Sequence, residues 1–166
     1  YIIVNAPKDH FEISKNIITL KKPLIIEKPI SLSKNDVKNL IELAKKENVI
    51  LATSNIFLFP DYILNFKKIV STYKNISSIE FIWSDPKSEF RYVDFKKYDP
   101  SIAIHKDVLP HILSIVFYLF ESNDVSFKNI CFLRGGSYLE IYLSIKGINF
   151  NVQIQRNSKK RKRIIK

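Results

Sequence analysis

Cysteine, glycine and methionine are scarce in this sequence, and each scarcity narrows what the protein can be. Its 166 residues contain one cysteine, three glycines and no methionine. The lone Cys131 excludes an intrachain disulfide, and its apolar neighbours predict a buried, unreactive thiol. This cysteine usage favours a cytoplasmic location. No apolar run is long enough to span a bilayer and no signal-peptide pattern is present, so we expect no membrane partner.

Recognisable catalytic signatures are also absent. The sequence has no P-loop, no GxGxxG, no GxSxG and no metal-ligand spacing. With 46% hydrophobic residues, the chain can bury one core or two small ones. It opens on Tyr1-Ile2-Ile3-Val4, inside an apolar strand and without a methionine. We therefore predict a fragment of a longer protein, truncated before Tyr1 and after Lys166.

Positive charge is abundant but unevenly distributed. The net charge is +11, and seven positive charges lie between Arg156 and Lys166, where there is no acid. Such a run could bind a phosphate backbone or act as a localisation signal. It could equally be a solvated tail, or an exposed strand whose partner is missing. Because no aromatic side chain is interleaved for base stacking, we favour the second pair of interpretations and expect no nucleic-acid partner.

The first third of the chain alternates short apolar strands with amphipathic helices. Strands are predicted at residues 1–6, 23–27 and 49–53, and helices at 9–20 and 33–48. The first helix should bury Ile13, Ile17 and Leu20, and Ser33 with Asp36 marks the start of the second. This alternation is typical of βαβ units and a parallel sheet.

The remainder follows a different pattern. We predict a helix at 60–70 with Pro60 in its first turn, a half-buried strand at 76–84, a long functional loop at 85–106, a helix at 107–120 and a strand at 125–133. Two alternating segments then flank a Lys146-Gly147 turn, which indicates a hairpin. The predicted class is α/β: the C-terminal part of a Rossmann-like parallel sheet in residues 1–57, then an α+β domain with an open, mostly antiparallel sheet in residues 58–166.

The tripeptide Glu27-Lys28-Pro29 closes the second predicted strand. Ligands of open parallel sheets bind at the carboxyl ends of the strands. Lys28 could there polarise a substrate oxygen beside a cofactor ring, aimed by the turn that Pro29 fixes. Alternatively, Lys28 merely leaves the sheet edge for water.

Asp107 and His111 lie four residues apart at the start of a predicted helix, on one face. A neutral His111 could accept a hydroxyl proton near neutral pH, and Asp107 could orient the ring or stabilise the imidazolium. The alternative is structural: Asp107 as an N-cap, Pro110 as a first-turn residue and His111 as a satisfied buried histidine.

A third group follows the first strand. Asn5-Ala6-Pro7 and His10 could line a cofactor pocket, with a small side chain and backbone admitting the ring. A turn followed by a helix cap explains the same residues equally well.

In their order and spacing, these segments resemble the Gfo/Idh/MocA family of glucose–fructose oxidoreductases and inositol dehydrogenases. The resemblance rests on Asn5 to His10, on the stretch from Leu24 through Ala44 that includes Glu27-Lys28-Pro29, and on Asp107-x-x-x-His111. It implies an NAD- or NADP-dependent enzyme that oxidises or reduces an alcohol of a sugar, cyclitol or nucleotide-sugar. It further implies a homo-oligomer formed through the C-terminal sheet.

The resemblance also assigns roles to individual residues. Lys28 would be the catalytic lysine, His111 the general acid/base and Asp107 its acidic partner in the substrate site. Cofactor contacts would come from the strand-end residues Asn5, Pro7, His10, Glu27, Lys28 and Pro29.

Three features depart from the family pattern. The GxGxxG turn is missing, so we expect this chain alone to hold a dinucleotide weakly and to be inactive without the rest of the protein. The usual glycine within the D-x-x-x-H motif is Leu109, and the arginine often found before the aromatic-Pro segment is Leu58. These departures leave open a non-catalytic relative that serves in binding or assembly.

Overall fold

The chain is described by a computed structural model that covers residues 1–91, 93–97, 102–122 and 124–166. These residues divide into two compact units, Tyr1–Ile56 and Phe57–Lys166. Each unit has its own hydrophobic core. In the described residues, no helix is long and apolar enough to cross a membrane.

The first unit is a three-stranded parallel sheet with two crossover helices, as the sequence predicts. Its elements are β1 (Ile2–Ile3), α1 (His10–Thr19), β2 (Leu24–Ile26), α2 (Lys34–Lys46) and β3 (Leu51–Thr53), with the strands in the order β1-β2-β3. A short 3-10 turn, Pro7–Asp9, leads into α1. Helices α1 and α2 pack against each other.

Local chemistry explains where these helices begin and which face they bury. The Ser33 hydroxyl accepts a hydrogen bond from the Asp36 backbone N–H at 3.4 Å, which confirms the predicted start of α2. On α1 the buried residues are His10, Ser14 and Ile18, spaced by four. The prediction that Leu20 is buried was wrong: α1 ends at Thr19, and Leu20 is 66% exposed beyond its last turn.

The second unit is built on a five-stranded mixed sheet. Its elements are α3 (Asp61–Thr72), β4 (Ser78–Pro86), β5 (Ser88–Arg91), β6 (Asp94–Lys97), α4 (Ile104–Phe120), β7 (Ser126–Leu133), β8 (Tyr138–Ile145), β9 (Ile148–Ser158) and β10 (Lys162–Ile165). The strand order is β10-β4-β9-β8-β7, and only the β4–β9 pair is parallel. The predicted open, mostly antiparallel sheet is confirmed.

Alternating apolar residues cover one face of this sheet, on which α4 packs. The buried positions are Ile79, Phe81 and Trp83 of β4, Leu139, Ile141, Leu143 and Ile145 of β8, and Phe150, Val152 and Ile154 of β9. The predicted hairpin joins β8 to β9, with Ile145 paired to Ile148 across Lys146 and Gly147. Both turn residues have positive φ (50° and 79°), as a two-residue turn of this kind requires.

Several boundary predictions were wrong. The predicted loop at 85–106 contains the end of β4, the antiparallel hairpin β5–β6 and the first turn of α4. Residues 92 and 98–101 of that segment lie outside the described residues. Pro60 precedes α3 as its N-cap and is not in the first turn. Cys131 is half-buried rather than buried, because it lies on β7, at the edge of the open sheet.

The basic C-terminal segment is not a solvated tail, contrary to one interpretation of its composition. Residues Lys162–Ile165 form β10, which pairs antiparallel with β4. Arg161 pairs with Glu89 at 2.7 Å and Lys166 with Glu80 at 2.9 Å. Acids far away in sequence therefore balance part of the C-terminal charge.

Candidate functional site

In the first unit, His10 ties together the chain segments that follow β1 and β2. The side chain is 1% exposed. Its Nδ1 lies 2.9 Å from the Pro29 carbonyl oxygen, and its Nε2 lies 2.9 Å from the Asn5 carbonyl oxygen. Both partners can only accept hydrogen bonds, and a neutral imidazole carries one N–H, so the tautomer decides which of the two contacts is the donated hydrogen bond. His10 therefore fixes the backbone at two strand ends, and a direct contact of its ring with a cofactor stays a prediction.

A second set of hydrogen bonds joins the ends of β2 and β3. The Ser54 hydroxyl donates a short hydrogen bond to Oε2 of Glu27, and the Ser54 N–H donates to the Ile26 carbonyl at 3.0 Å. Ser54 is not among the site residues predicted from the sequence. Its signal was available: it is a hydroxyl residue directly after β3, at the edge where the carboxyl ends of parallel strands meet.

Lys28 lies between Glu27 and Pro29, the two residues of this segment that Ser54 and His10 contact. It is half-buried, as are Glu27 and Pro29, and the Lys28–Pro29 peptide bond is cis. Asn5 is exposed, and Pro7 opens the 3-10 turn before α1. The structure thus gathers the predicted cofactor-binding residues at one edge of one sheet, and their contact with a cofactor remains a prediction.

The nicotinamide ring and the pyrophosphate of a dinucleotide make different demands on this edge of the sheet. Fixed backbone loops with a half-buried lysine between them suit a flat, polar ring placed against the strand ends. A pyrophosphate needs a glycine-rich turn before a helix. The three glycines of the sequence are Gly135, Gly136 and Gly147, all in the second unit. That these residues serve the nicotinamide end of the cofactor stays a prediction.

In the second unit, α4 carries Asp107 and His111. His111 is 6% exposed and contacts two aromatic rings, which also contact each other. The Phe57 ring meets it edge-on at 4.8 Å between centroids, and the Trp83 indole is stacked with it at 5.9 Å and an interplanar angle of 11°. The N-cap of α4 is Ala103, so the structural alternative that made Asp107 an N-cap and Pro110 a first-turn residue is wrong.

Asp107 is held by an arginine that the sequence analysis placed in the basic segment. Nη2 of Arg156 lies 3.0 Å from Oδ2 of Asp107, and Nη1 donates to the Ile102 carbonyl at 2.7 Å. Both side chains are largely buried, with 12% and 25% exposed. The strand period could have singled out Arg156 as inward-facing, because it continues the series Phe150, Val152, Ile154.

A third cluster surrounds the indole of Trp83. Its Nε1–H donates to Oδ2 of Asp85 at 3.1 Å. The guanidinium of Arg163 lies over the ring, 3.8 Å from the centroid, and its Nη2 is 2.5 Å from Oδ1 of Asp85. Asp85 is 4% exposed, so its charge is paired inside the protein.

A cavity of about 680 Å³ opens beside the start of α4. Its polar lining comes from Lys87, Ser88, His105, Ser137, Arg156 and Asn157. Burial, together with the charge of Lys106, lowers the pKa of His105 below its ordinary value of 6.5. His105 is therefore uncharged at neutral pH. The volume is in the range of small-molecule sites, and Arg156 links the cavity to Asp107.

Comparison with protein families confirms the resemblance seen in the sequence. Residues 1–55 match the Gfo/Idh/MocA family model, described as an oxidoreductase family with an NAD-binding Rossmann fold. The match covers the first unit, from β1 through the residues that follow β3. It also confirms the predicted nicotinamide dinucleotide as the cofactor class of that family.

Solved structures resemble both units. A UDP-N-acetylglucosamine 3-dehydrogenase from Acidithiobacillus ferrooxidans is 18% identical with a TM-score of 0.75, covering 99% of this chain and 52% of its own. A dehydrogenase from Clostridium difficile is also 18% identical, with a TM-score of 0.76 and coverages of 99% and 52%. For an oxidoreductase from Pseudomonas syringae the identity is 14%, the TM-score 0.77 and the coverages 98% and 45%.

At these identities the likeness establishes the fold. The chain spans about half the length of the solved structures it resembles. A comparison with curated protein sequences finds no match.

Proposed function

We propose that this chain is part of an NAD(P)-dependent oxidoreductase that transfers hydride between a nicotinamide and a secondary alcohol. The observation that carries the proposal is the position of Lys28. It follows β2 at the carboxyl edge of a parallel sheet, within residues that match an NAD-binding family. Ligands of such sheets bind at this edge.

Lys28 is the residue we assign to the substrate oxygen. Its ammonium group donates a hydrogen bond to the alcohol oxygen and stabilises the negative charge that develops there. The bound nicotinamide supplies the site that accepts or returns the hydride. His10 and Ser54 act through the backbone, because they hold the strand ends between which Lys28 projects.

His111 is the group we assign to the proton. As the C–H bond breaks and the carbonyl forms, His111 accepts the hydroxyl proton, and it returns that proton in the reverse direction. Asp107, one turn earlier on α4, is the acidic partner in the substrate site. Its ion pair with Arg156 fixes the carboxylate beside the cavity at the start of α4.

A carbohydrate-type substrate suits this cavity. Hydroxyl, amide and guanidinium groups line it, and these are the groups that hydrogen-bond polyols and sugar phosphates. The similar Acidithiobacillus protein is a UDP-N-acetylglucosamine 3-dehydrogenase. A nucleotide-sugar is therefore the first substrate class to test, before free sugars and cyclitols.

The proposal includes a homo-oligomer formed through the sheet of the second unit. The exposed apolar side chains of β7 support this part: Phe127, Ile130, Phe132 and Leu133 are each about half exposed. Sedimentation of the complete protein tests it, since a monomer at micromolar concentration would contradict it.

The decisive experiment compares turnover of the complete protein with that of two variants. We expect Lys28→Ala to lower kcat about 10²–10³-fold with the fold intact, as the loss of one preorganised donor does. His111→Gln should lower it about 10²–10⁴-fold. Lys15→Ala removes an exposed lysine of α1 and is the matched control.

The substrate panel should contain nucleotide-sugars, free sugars and cyclitols, each assayed with NAD and with NADP. Near-normal turnover of Lys28→Ala would refute the proposed role. A complete protein that is inactive with every class would favour the alternative, a non-catalytic relative that serves in binding or assembly.

A further inference from the structure

The indole of Trp83 has a position that the proposed reaction does not by itself explain. It is the only tryptophan among the 166 residues and is 5% exposed. It stacks with the imidazole of His111 and also carries the Arg163 guanidinium over its ring. One buried ring therefore contacts the candidate acid/base and a permanent cation.

Sheet register brings these groups together. Arg163 on β10 is the direct cross-strand partner of Trp83 on β4. Residues directly opposite in a sheet point to the same face, so both side chains lie on the face that α4 covers. A slip of one residue would move Arg163 to the other face.

Two polar contacts fix the angle of the indole. The Nε1–H of Trp83 donates to Oδ2 of Asp85, and Oδ1 of the same carboxylate accepts from Arg163. Arg161 adds a second cation 3.5 Å from Asp85. The ring is thus held at its edge by a buried carboxylate and across its face by a guanidinium.

We propose that Trp83, supported by Asp85 and Arg163, is a positioning residue for the acid/base His111. Its indole is the flat surface that fixes the plane of the His111 imidazole. The edge-on contact with Phe57 also restrains the imidazole. An imidazolium is also attracted to the electron-rich face of an indole. The same surface therefore stabilises His111 after it has accepted a proton. The proposal rests on the proposed role of His111.

The electrostatic setting contains opposed charges that largely balance. Asp107 lies one turn before His111 on α4 and pairs with Arg156 of β9, and Arg163 of β10 pairs with Asp85 of β4. Arg156 and Arg163 are therefore each paired with a carboxylate. We therefore expect Trp83 to act mainly by fixing the orientation of the His111 imidazole. Its second effect is the attraction between the π face of the indole and the protonated imidazole.

The first test uses Trp83 fluorescence in the full-length protein and needs no activity. Subtracting the emission of Trp83→Phe from that of the wild type isolates the signal of Trp83. A protonated imidazole in contact with an indole quenches its emission, so this signal should follow a titration as the pH falls. The same titration should be absent in His111→Gln. A Trp83 signal that does not depend on His111 would overturn the proposal.

The second test is kinetic. Trp83→Leu removes the flat surface, and we expect kcat to fall about 10–100-fold with KM for the nicotinamide nearly unchanged, because a displaced catalytic ring loses its alignment. Trp83→Phe keeps an aromatic face and should restore most of the loss. Equal kcat and equal pH profiles for the wild type and Trp83→Leu would overturn the proposal.

These outcomes separate the two claims. Full turnover of His111→Gln would refute the proposed function, whatever the fluorescence shows. A His111-dependent loss of activity without a His111-dependent Trp83 signal would refute only the positioning role. Because the fluorescence test does not use Trp83→Leu, it remains decisive even if that variant does not fold.

Discussion

The two units hold their candidate functional residues in different ways. In the first unit, hydrogen bonds from His10 and Ser54 connect neighbouring strand ends, and their partners lie 5 to 27 residues away. In the second unit, ring stacking and buried ion pairs hold His111 and Asp107, and the ion pairs join residues 49 and 78 positions apart.

This difference follows from topology. In a βαβ unit, consecutive parallel strands are neighbours, so their carboxyl ends meet and short polar side chains can reach across. In the mixed sheet, β10 lies beside β4, and β9 lies between β4 and β8. The ion pairs near His111 therefore join elements that are distant in sequence.

The largest stability effect is expected where a buried charge loses its partner. Arg163→Met leaves Asp85 in contact with the Arg161 guanidinium and the Trp83 N–H, and we expect a loss of about 3 kcal/mol in the free energy of unfolding. Urea unfolding measures it. Lys162→Met, on the exposed adjacent position of β10, should change stability little. Equal losses in both variants would contradict the internal role of Arg163.

A smaller loss is expected from the hydrogen-bonded half. His10→Ala removes the buried ring that contacts the carbonyls of Asn5 and Pro29 and should cost about 2 kcal/mol. Hydrogen exchange should speed up for amides of β1 and β2. Asn16→Ala on the exposed side of α1 is the control. Unchanged exchange at both strands would show that His10 does not tie them together.

The smallest effect is a change in pH dependence at the cavity. The pKa of His105 is lowered in the folded state, so the unfolded chain binds a proton first as the pH falls below 6.5. Stability therefore decreases with falling pH between 6.5 and the folded pKa. His105→Asn should flatten this part of the profile, measured by urea unfolding between neutral pH and about pH 5. An identical slope in both proteins would refute the assignment.

Secondary structure was predicted correctly from the sequence where the pattern that indicates it lies within one short segment. Ser33 with Asp36 marks a helix start, the alternation of Ile79, Phe81 and Trp83 marks a half-buried strand, and Lys146-Gly147 marks a hairpin. The prediction failed between residues 85 and 106, where the paired strands β5 and β6 show no clear alternation of apolar and polar residues.

Within the candidate site, the same division holds. Lys28 and His111 could be singled out because a strand end and an i, i+4 pair are local patterns. Ser54, Arg156 and Trp83 could not be assigned a partner, since each depends on a neighbour supplied by another strand or helix.

The sequence by itself determined the parallel βαβ unit, the half-buried strands and the positions of Lys28, Asp107 and His111, because periodicity, caps and turn residues act over a few neighbours. Only the tertiary structure decided that the basic C-terminal segment becomes a strand beside β4, with Arg163 over Trp83 and Arg156 on Asp107. The register of a mixed sheet sets those contacts. The register of a sheet depends on burying the apolar side chains of all its strands on one face. A single segment does not contain that information.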